Sequence, residues 1–587
     1  MKSFLKMALA SMVGMLISFF VILLLLIVIV SAVASKADDE VEVSSNSILH
    51  IPLDHPVVER SSKDPLQSLN IDGIGGSKKL GLNDILAALK RAKDDDKIKG
   101  IYLDLSSVQA GFATIEEIRN ALVDFKKSGK FILAYSEVYT KGSYYLASVA
   151  DKVYLNPEGI LEFTGFSSQV MFFKGALDKL GIEPQVIKVG TYKSAVEPFI
   201  LDKMSDPNRL QVTSFLGSLY SHYLDRIATS RKLNKDSLFS IADQLKIRSP
   251  KDAVTYKLCD ALRYKDQVLD ELKSRSGIDK DKDIKSVNLA DYIKNNPGEE
   301  GNFNTRIAVV YASGEITGGD GDDETIGSEK ISKAIRKART DEKVKAVVLR
   351  VNSPGGSALA SDVIWREVVL TRKVKPVIVS MGDLAASGGY YISCAADSIF
   401  AQPNTITGSI GVFGIIPNMQ NFFNNKLGIT FDGVKTGKHA DIATVTRPLT
   451  PEEKLIIQAE VNRIYDSFTK RVADGRKKSQ KYVDEIGQGR VWSGAEAIKI
   501  GLIDRLGDID DAVRSAAKMA KVSDYRVVSY PVQKEGLSAL LDKSGDKLGT
   551  YFAKKELGEQ YAYYEKIKSA IGLKGIQARM PFDISLW

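Results

Sequence analysis

Acyl transfer needs a nucleophile, a base that takes its proton and donors for the oxyanion. Ser387 is placed for the first role. It stands in Ala385-Ala-Ser387-Gly388-Gly-Tyr-Tyr391, after a strand ending near Met381 and at the start of a run with helical spacing through Ala396. Small neighbours leave its hydroxyl accessible, and a helix N-terminus offers free N–H groups, that of Gly388 among them, to an oxyanion. The plainer use of a serine here is as an N-cap. The pattern is not the Gly-x-Ser-x-Gly elbow, which argues against an α/β-hydrolase.

A second loop, Asn352-Ser-Pro-Gly355-Gly356-Ser357, follows the strand ending at Val351. Adjacent glycines let backbone come close to a ligand and aim N–H groups at it, although Pro-Gly also marks ordinary turns. Two residues compete to be the base. His439 is the only histidine of the C-terminal half, in Gly437-Lys-His-Ala-Asp441. Lys193 lies in Val189-Gly-Thr-Tyr-Lys193-Ser194-Ala-Val-Glu-Pro-Phe199 among mostly apolar or uncharged neighbours. A lysine serves as base only when neutral, which requires burial or nearby positive charge; otherwise it is a solvated surface charge.

Self-similarity separates the candidates. Lys97-Ile-Lys-Gly-Ile-Tyr-Leu-Asp104 resembles Lys343-Val-Lys-Ala-Val-Val-Leu-Arg350, Phe131-Ile-Leu-Ala resembles Val377-Ile-Val-Ser, and Tyr144-Tyr-Leu-Ala resembles Tyr390-Tyr-Ile-Ser, always at an offset of 246. The offset drifts to 245 and then 244 by Ala253–Asp260 against Ala497–Asp504. The chain therefore holds two homologous domains, 47–295 and 304–530, joined by a polar stretch at 295–304 and followed by a partly helical extension, 531–587. At this offset Ser387 faces Lys141, Pro354-Gly-Gly356 faces Val108-Gln-Ala110, and Lys193 faces Ala440 once Gly190 is aligned with Gly437. One half keeps a serine and a glycine turn without a lysine; the other keeps a lysine without a serine.

The elements that must position these groups alternate β-branched runs (Ile307–Tyr311, Ala346–Val351, Pro376–Ser380) with helical spacing over Lys330–Arg339 and Ala358–Leu370. This is an α/β pattern with a largely parallel sheet, and such folds place ligands on the loops after the strands. Ahead of both domains, residues 8–34 carry no charge, more than the ~20 residues a spanning helix needs. Lys2 and Lys6 put residues 1–7 in the cytoplasm and the domains outside it. Ala32-Val-Ala-Ser35 also matches a cleavage site, so a cleaved leader is the alternative to a permanent anchor. With 81 basic and 73 acidic residues, a mixed surface and no compact Lys/Arg run, the chain has no nucleic-acid-binding signature. No metal-spaced Cys/His cluster occurs, so no metal or cofactor is expected, and Cys259 and Cys394 read as buried free thiols.

Three motifs, Met381-Gly-Asp-Leu-Ala-Ala-Ser387-Gly-Gly-Tyr-Tyr391, Thr407-Gly-Ser-Ile-Gly-Val-Phe-Gly414 and Gly190-Thr-Tyr-Lys193-Ser-Ala-Val-Glu-Pro-Phe199, closely resemble bacterial signal peptide peptidase A in its long, duplicated form. The resemblance runs from the anchor to about residue 530 and implies a ClpP/crotonase-like fold in each half. It implies a Ser–Lys dyad of Ser387 and Lys193, with oxyanion donors from Gly388 and from Gly355 or Gly356, and Ser194 orienting the amine. It further implies a homo-tetramer anchored in the inner membrane by its N-terminal helix, with periplasmic domains that cut released signal peptides. The pair can form within one chain or between neighbours. Two other readings share the fold: a crotonase-type acyl-CoA enzyme, disfavoured by the anchor, and a non-catalytic scaffold, disfavoured by retention of both dyad residues.

Overall fold

The β-branched runs form two largely parallel sheets packed between helices, the C-terminal one carrying an antiparallel edge strand, Val491–Ser493. The computed structural model describes residues 2–37, 43–62, 79–295, 301–322, 324–533 and 576–580. In the N-terminal half the strand order is Ala261–Leu262, Lys152–Leu161, Phe131–Tyr139, Ile98–Asp104, Ser47–Ile51 and Ser286–Asn288. Every neighbouring pair is parallel. In the C-terminal half, Ile406–Gly408, Val377–Ala386, Val344–Ser353, Arg306–Ser313 and Arg526–Tyr530 follow the same plan.

The sequence offset recurs in the elements themselves. Strands begin at 98 and 344, 131 and 377, and 152 and 398, and helices at 82 and 328 and at 112 and 358. The long helices Asp206–Arg231 and Pro451–Arg476 stand 245 apart, and the short strands at 261 and 505 stand 244 apart. Both cysteines are buried free thiols.

A third sheet joins the halves. Its order is Thr325–Gly327, Glu315–Thr317, Gly355–Ser357, Gln577–Arg579, Val412–Asn418 and Glu183–Val189. The last two strands, one from each half, pair antiparallel from Val412 opposite Val189 to Asn418 opposite Glu183. This pairing delivers the Lys193 loop to the C-terminal half. The C-terminal extension thus contributes a strand, whereas residues 534–575 and 581–587, where helix was expected, lie outside the described residues.

Charged groups lock the interface. Arg350, on the strand that leads into the glycine turn, is fully buried and bonds Glu59 and Glu117 of the other half, each at 2.7 Å. Glu59 also accepts from Asn352 at 2.8 Å. Burial, aided by Glu59, pushes the Glu117 carboxyl up to about 8 against the pull of Arg350. Asp383, in the stretch before Ser387, accepts from the Thr114 amide and hydroxyl at 2.9 and 2.6 Å, and so caps helix Phe112–Phe125 of the other half.

The first helix spans Lys2–Ala37. Its side chains are described without a break only over residues 9–22, and the rest of the expected anchor falls largely outside the described side chains. Among the described residues no helix is long and apolar enough to cross a membrane.

Replacing Arg350 with Met strands two buried carboxylates. Chemical denaturation should show a loss of about 3–5 kcal/mol, the usual cost of removing one partner from a buried ion pair.

Candidate active site

Ser387 directly follows the strand Val377–Ala386, which runs five residues past the expected end at Met381, and precedes the helix Gly388–Ser393. Its backbone is held at φ 55°, ψ −111°, a region that costs a non-glycine residue about 1–3 kcal/mol. Its amide donates to the Gly408 carbonyl at 2.8 Å. The hydroxyl makes no capping bond to the helix, so the plain N-cap reading does not hold. Instead it accepts from Lys193 Nζ at 2.8 Å, and the Gly411 carbonyl lies 3.4 Å from it.

Lys193 comes from the loop after Glu183–Val189, and its side chain passes between two glycines of the opposite half. A Cβ on Gly411 would stand 3.1 Å from Lys193 Cδ, and one on Gly489 would stand 2.6 Å from Lys193 Cβ. The Tyr192 amide donates to the Gln488 carbonyl at 2.8 Å, which ties this loop across the interface. Both Lys193 and Ser387 have no solvent exposure. Besides Ser387, the amine bonds the Ser409 hydroxyl at 3.1 Å and the Ser409 carbonyl at 3.2 Å. None of these partners is a carboxylate. Burial therefore acts unopposed and holds the amine well below lysine's ordinary 10.5, which favours the neutral, proton-accepting form. The pair forms within one chain.

The remaining expected site residues divide. Ser194 does not contact the amine; its hydroxyl accepts from Gln211 Nε2 at 2.9 Å, while Gln211 Oε1 accepts from the Val491 amide of the other half at 3.1 Å. Ser409 makes the contacts to the amine that were expected of Ser194. His439 pairs with Glu452 at 3.4 Å instead of reaching Ser387. Gly355 donates its N–H to Ser353 Oγ at 3.1 Å, so Gly356 is the better oxyanion donor of the two.

Gly356 meets a carbonyl already. Residues 577–579 pair antiparallel with 355–357, so that Gly356 stands opposite Ala578. Met580 N donates to Pro354 O at 2.7 Å and Ala358 N to Ile576 O at 3.4 Å. These flanking bonds make Gly356 and Ala578 a mutually bonded pair of the ladder. A Cβ on Gly355 would fall 2.1 Å from the Ala578 oxygen and 2.7 Å from the Gly388 nitrogen; one on Gly388 would fall 3.1 Å from the same oxygen. Only glycines admit a carbonyl here. The end of the chain thus lies across the site as an extended strand, its Ala578 carbonyl at the junction of the Gly356 and Gly388 backbones.

Ser409 was not picked out as a site residue from sequence. It sits inside Thr407-Gly-Ser409-Ile-Gly411, and its one structural signal is a positive φ of 50°. Gln211 left no sequence signal, since a glutamine within a long helix is ordinary.

A strained serine bonded to a buried amine whose pKa burial lowers, beside glycine amides, is the equipment of a serine hydrolase. The match to known proteins is specific. The model of peptidase family S49 matches this chain twice, over residues 124–279 and 370–523, one match holding Lys193 and the other Ser387. "Protease 4" of Salmonella typhi is 41% identical over 471 residues, covering 78% of this chain and 75% of that protein. "Serine protease SPPA, chloroplastic" of Arabidopsis thaliana is 35% identical over 441 residues, covering 74% of this chain and 64% of the relative. "Putative signal peptide peptidase SppA" of Enterococcus faecium is 34% identical over 247 residues, covering 41% of this chain and 71% of the relative. The chain belongs to peptidase family S49 and is a serine protease of the long, duplicated type.

Ser409→Ala removes one hydrogen bond to the amine and leaves the substrate path untouched. Steady-state kinetics should show kcat lowered about tenfold, the worth of about one hydrogen bond, with KM little changed.

Proposed function

We propose that this protein is a membrane-anchored endopeptidase that degrades released signal peptides through a Ser387–Lys193 dyad. The observation that carries the reading is the 2.8 Å contact between a fully buried amine and the serine hydroxyl. Neutral Lys193 takes the Ser387 proton as the serine oxygen attacks a peptide carbonyl. The Gly356 and Gly388 N–H groups hold the oxyanion. The Lys193 ammonium then protonates the leaving amine, and in the second half-reaction the neutral amine activates the water that hydrolyses the acyl-enzyme.

Signal peptides as substrates are supported by the printed name of the Enterococcus faecium relative and by the motif resemblance. The apolar side chains facing the site near Phe215 and Val491 suit hydrophobic segments. Anchoring through residues 8–34 in the inner membrane, with residues 1–7 inside and the domains in the periplasm, is supported by the uncharged run and its flanking lysines. A homo-tetramer and a ClpP/crotonase-like class for each half are what the resemblance implies, and the parallel α/β unit in each half accords with that class.

The base must be neutral to act, so activity is lost as pH falls through the depressed lysine pKa and rises to a plateau above it. A plot of log kcat/KM against pH should therefore rise through a single ionisation well below 10.5. Lys193→Arg brings a positive charge that cannot be lost by deprotonation, and should lower kcat/KM by about 10²–10⁴-fold. A flat profile, or an active arginine variant, would sink the dyad.

A further inference from the structure

We infer that Gln211 is a positioning residue for the dyad: its side chain pins the turn that carries Lys193 to the strand that supports the Ser387 backbone. The inference rests on the Ser387–Lys193 reading and deepens it by naming what holds the two parts of the site in register.

Lys193 is the apex of a three-residue turn. Its backbone lies at φ −75°, ψ 78°, and the Ser194 amide donates to the Tyr192 carbonyl at 2.8 Å. This is the pattern of an inverse γ-turn. Gln211 grips it on both sides. Its Nε2 donates to the Tyr192 carbonyl at 3.1 Å and to the Ser194 hydroxyl at 2.9 Å, the residues before and after the lysine. A glutamine amide also carries an accepting oxygen, and this one is used across the interface: Oε1 accepts from the Val491 amide at 3.1 Å. Val491 stands opposite Gly408 in an antiparallel pair. The Gly408 carbonyl accepts from the Ser387 amide at 2.8 Å, and the next residue, Ser409, bonds the lysine amine. One fully buried side chain thus links the base to the backbone that fixes the nucleophile.

The duplication ties the glutamine to the lysine. The long helices stand 245 residues apart, which places Ile456 at the position of Gln211, and Ile456 is 46% exposed. The same copy has Ala440 where the lysine stands. The half without the base thus lacks the glutamine as well. Among the described residues no charged side chain bonds the Lys193 amine. Glu197 is taken up by Ser205 and Asn208, and the Arg490 guanidinium lies over the Tyr192 ring at 5.3 Å. Burial alone depresses the amine's pKa. A turn that comes loose admits water and lets that pKa rise toward its ordinary value.

Gln211→Met keeps the length of the side chain and removes its amide, and Ser194→Ala removes one of the two grips. Ser214→Ala is the control, since it cuts a different bond between the same helix and the C-terminal half, Ser214 Oγ to Glu496 at 2.6 Å. The test is kcat/KM of the full-length protein on a fluorogenic peptide across pH, with thermal unfolding alongside. In Gln211→Met the rising limb should move to higher pH. On the limb kcat/KM should fall about tenfold, the equivalent of about one buried hydrogen bond, and at the plateau it should recover most of the wild-type value. Ser194→Ala should move the limb the same way by less, and Ser214→Ala should leave it in place whatever its Tm. A limb unmoved in folded Gln211→Met, even with Tm or the rate lowered throughout, overturns the role, and so does an equal displacement in Ser214→Ala. If Gln211→Met does not fold, Ser194→Ala decides by the same criterion. A wild-type profile without a rising limb overturns the dyad reading instead.

Discussion

The structure turns on one desolvated amine. Lys193 lies wholly buried, its Nζ bonded only to hydroxyls and a carbonyl, with no carboxylate to favour its charge. An uncompensated ammonium is expensive in such a place, so burial lowers the amine's pKa, as the proposed dyad requires of its base. The burial is not local to the lysine loop. It exists because Gly411 and Gly489 of the opposite half close on the side chain, which makes the chemistry a property of the docked pair of domains.

That dependence explains where the other buried charges lie. The Arg350 ion pairs and the Asp383 cap both cross the interface, and both sit on the chain segments that carry the catalytic loops. Arg350 is two residues before Asn352, at the root of the glycine turn, and Asp383 is four before Ser387. Arg350 has no like counterpart in the duplication, since it corresponds to Asp104, whereas Asp383 corresponds to another carboxylate, Glu137. Divergence of the two copies thus placed a cation at Arg350, opposite carboxylates of the other half, as well as the serine and lysine of the proposed dyad. Buried ion pairs add little net stability compared with apolar packing, but they tolerate no change of register. Here register decides whether an amine meets a hydroxyl.

Much of this was legible in the sequence because the parallel sheets are written locally. The β-branched runs, the helical spacing over Lys330–Arg339 and Ala358–Leu370 and the nearly constant offset pointed to two parallel α/β halves and to the pairing of a serine in one copy with a lysine in the other. What escaped notice depends on contacts between distant segments. Ser409 occupies a turn whose side chain has meaning only once Lys193 arrives from the other half. The third sheet is built of short strands from both halves and from the end of the chain, and Gln577-Ala-Arg579 has no β-branched residue to announce it. Ser194, which the resemblance implied would orient the amine, begins a short 3-10 turn, and its hydroxyl accepts from Gln211 instead.

The most direct measurement is the rate at which a fluorophosphonate probe labels Ser387 in the full-length protein, followed by mass spectrometry across pH. If the buried amine activates the serine, labelling rises with pH through an ionisation well below 10.5 and is lost in Lys193→Ala, while thermal unfolding shows that variant still folded. Labelling of Ser387 at an undiminished rate in folded Lys193→Ala would contradict the account.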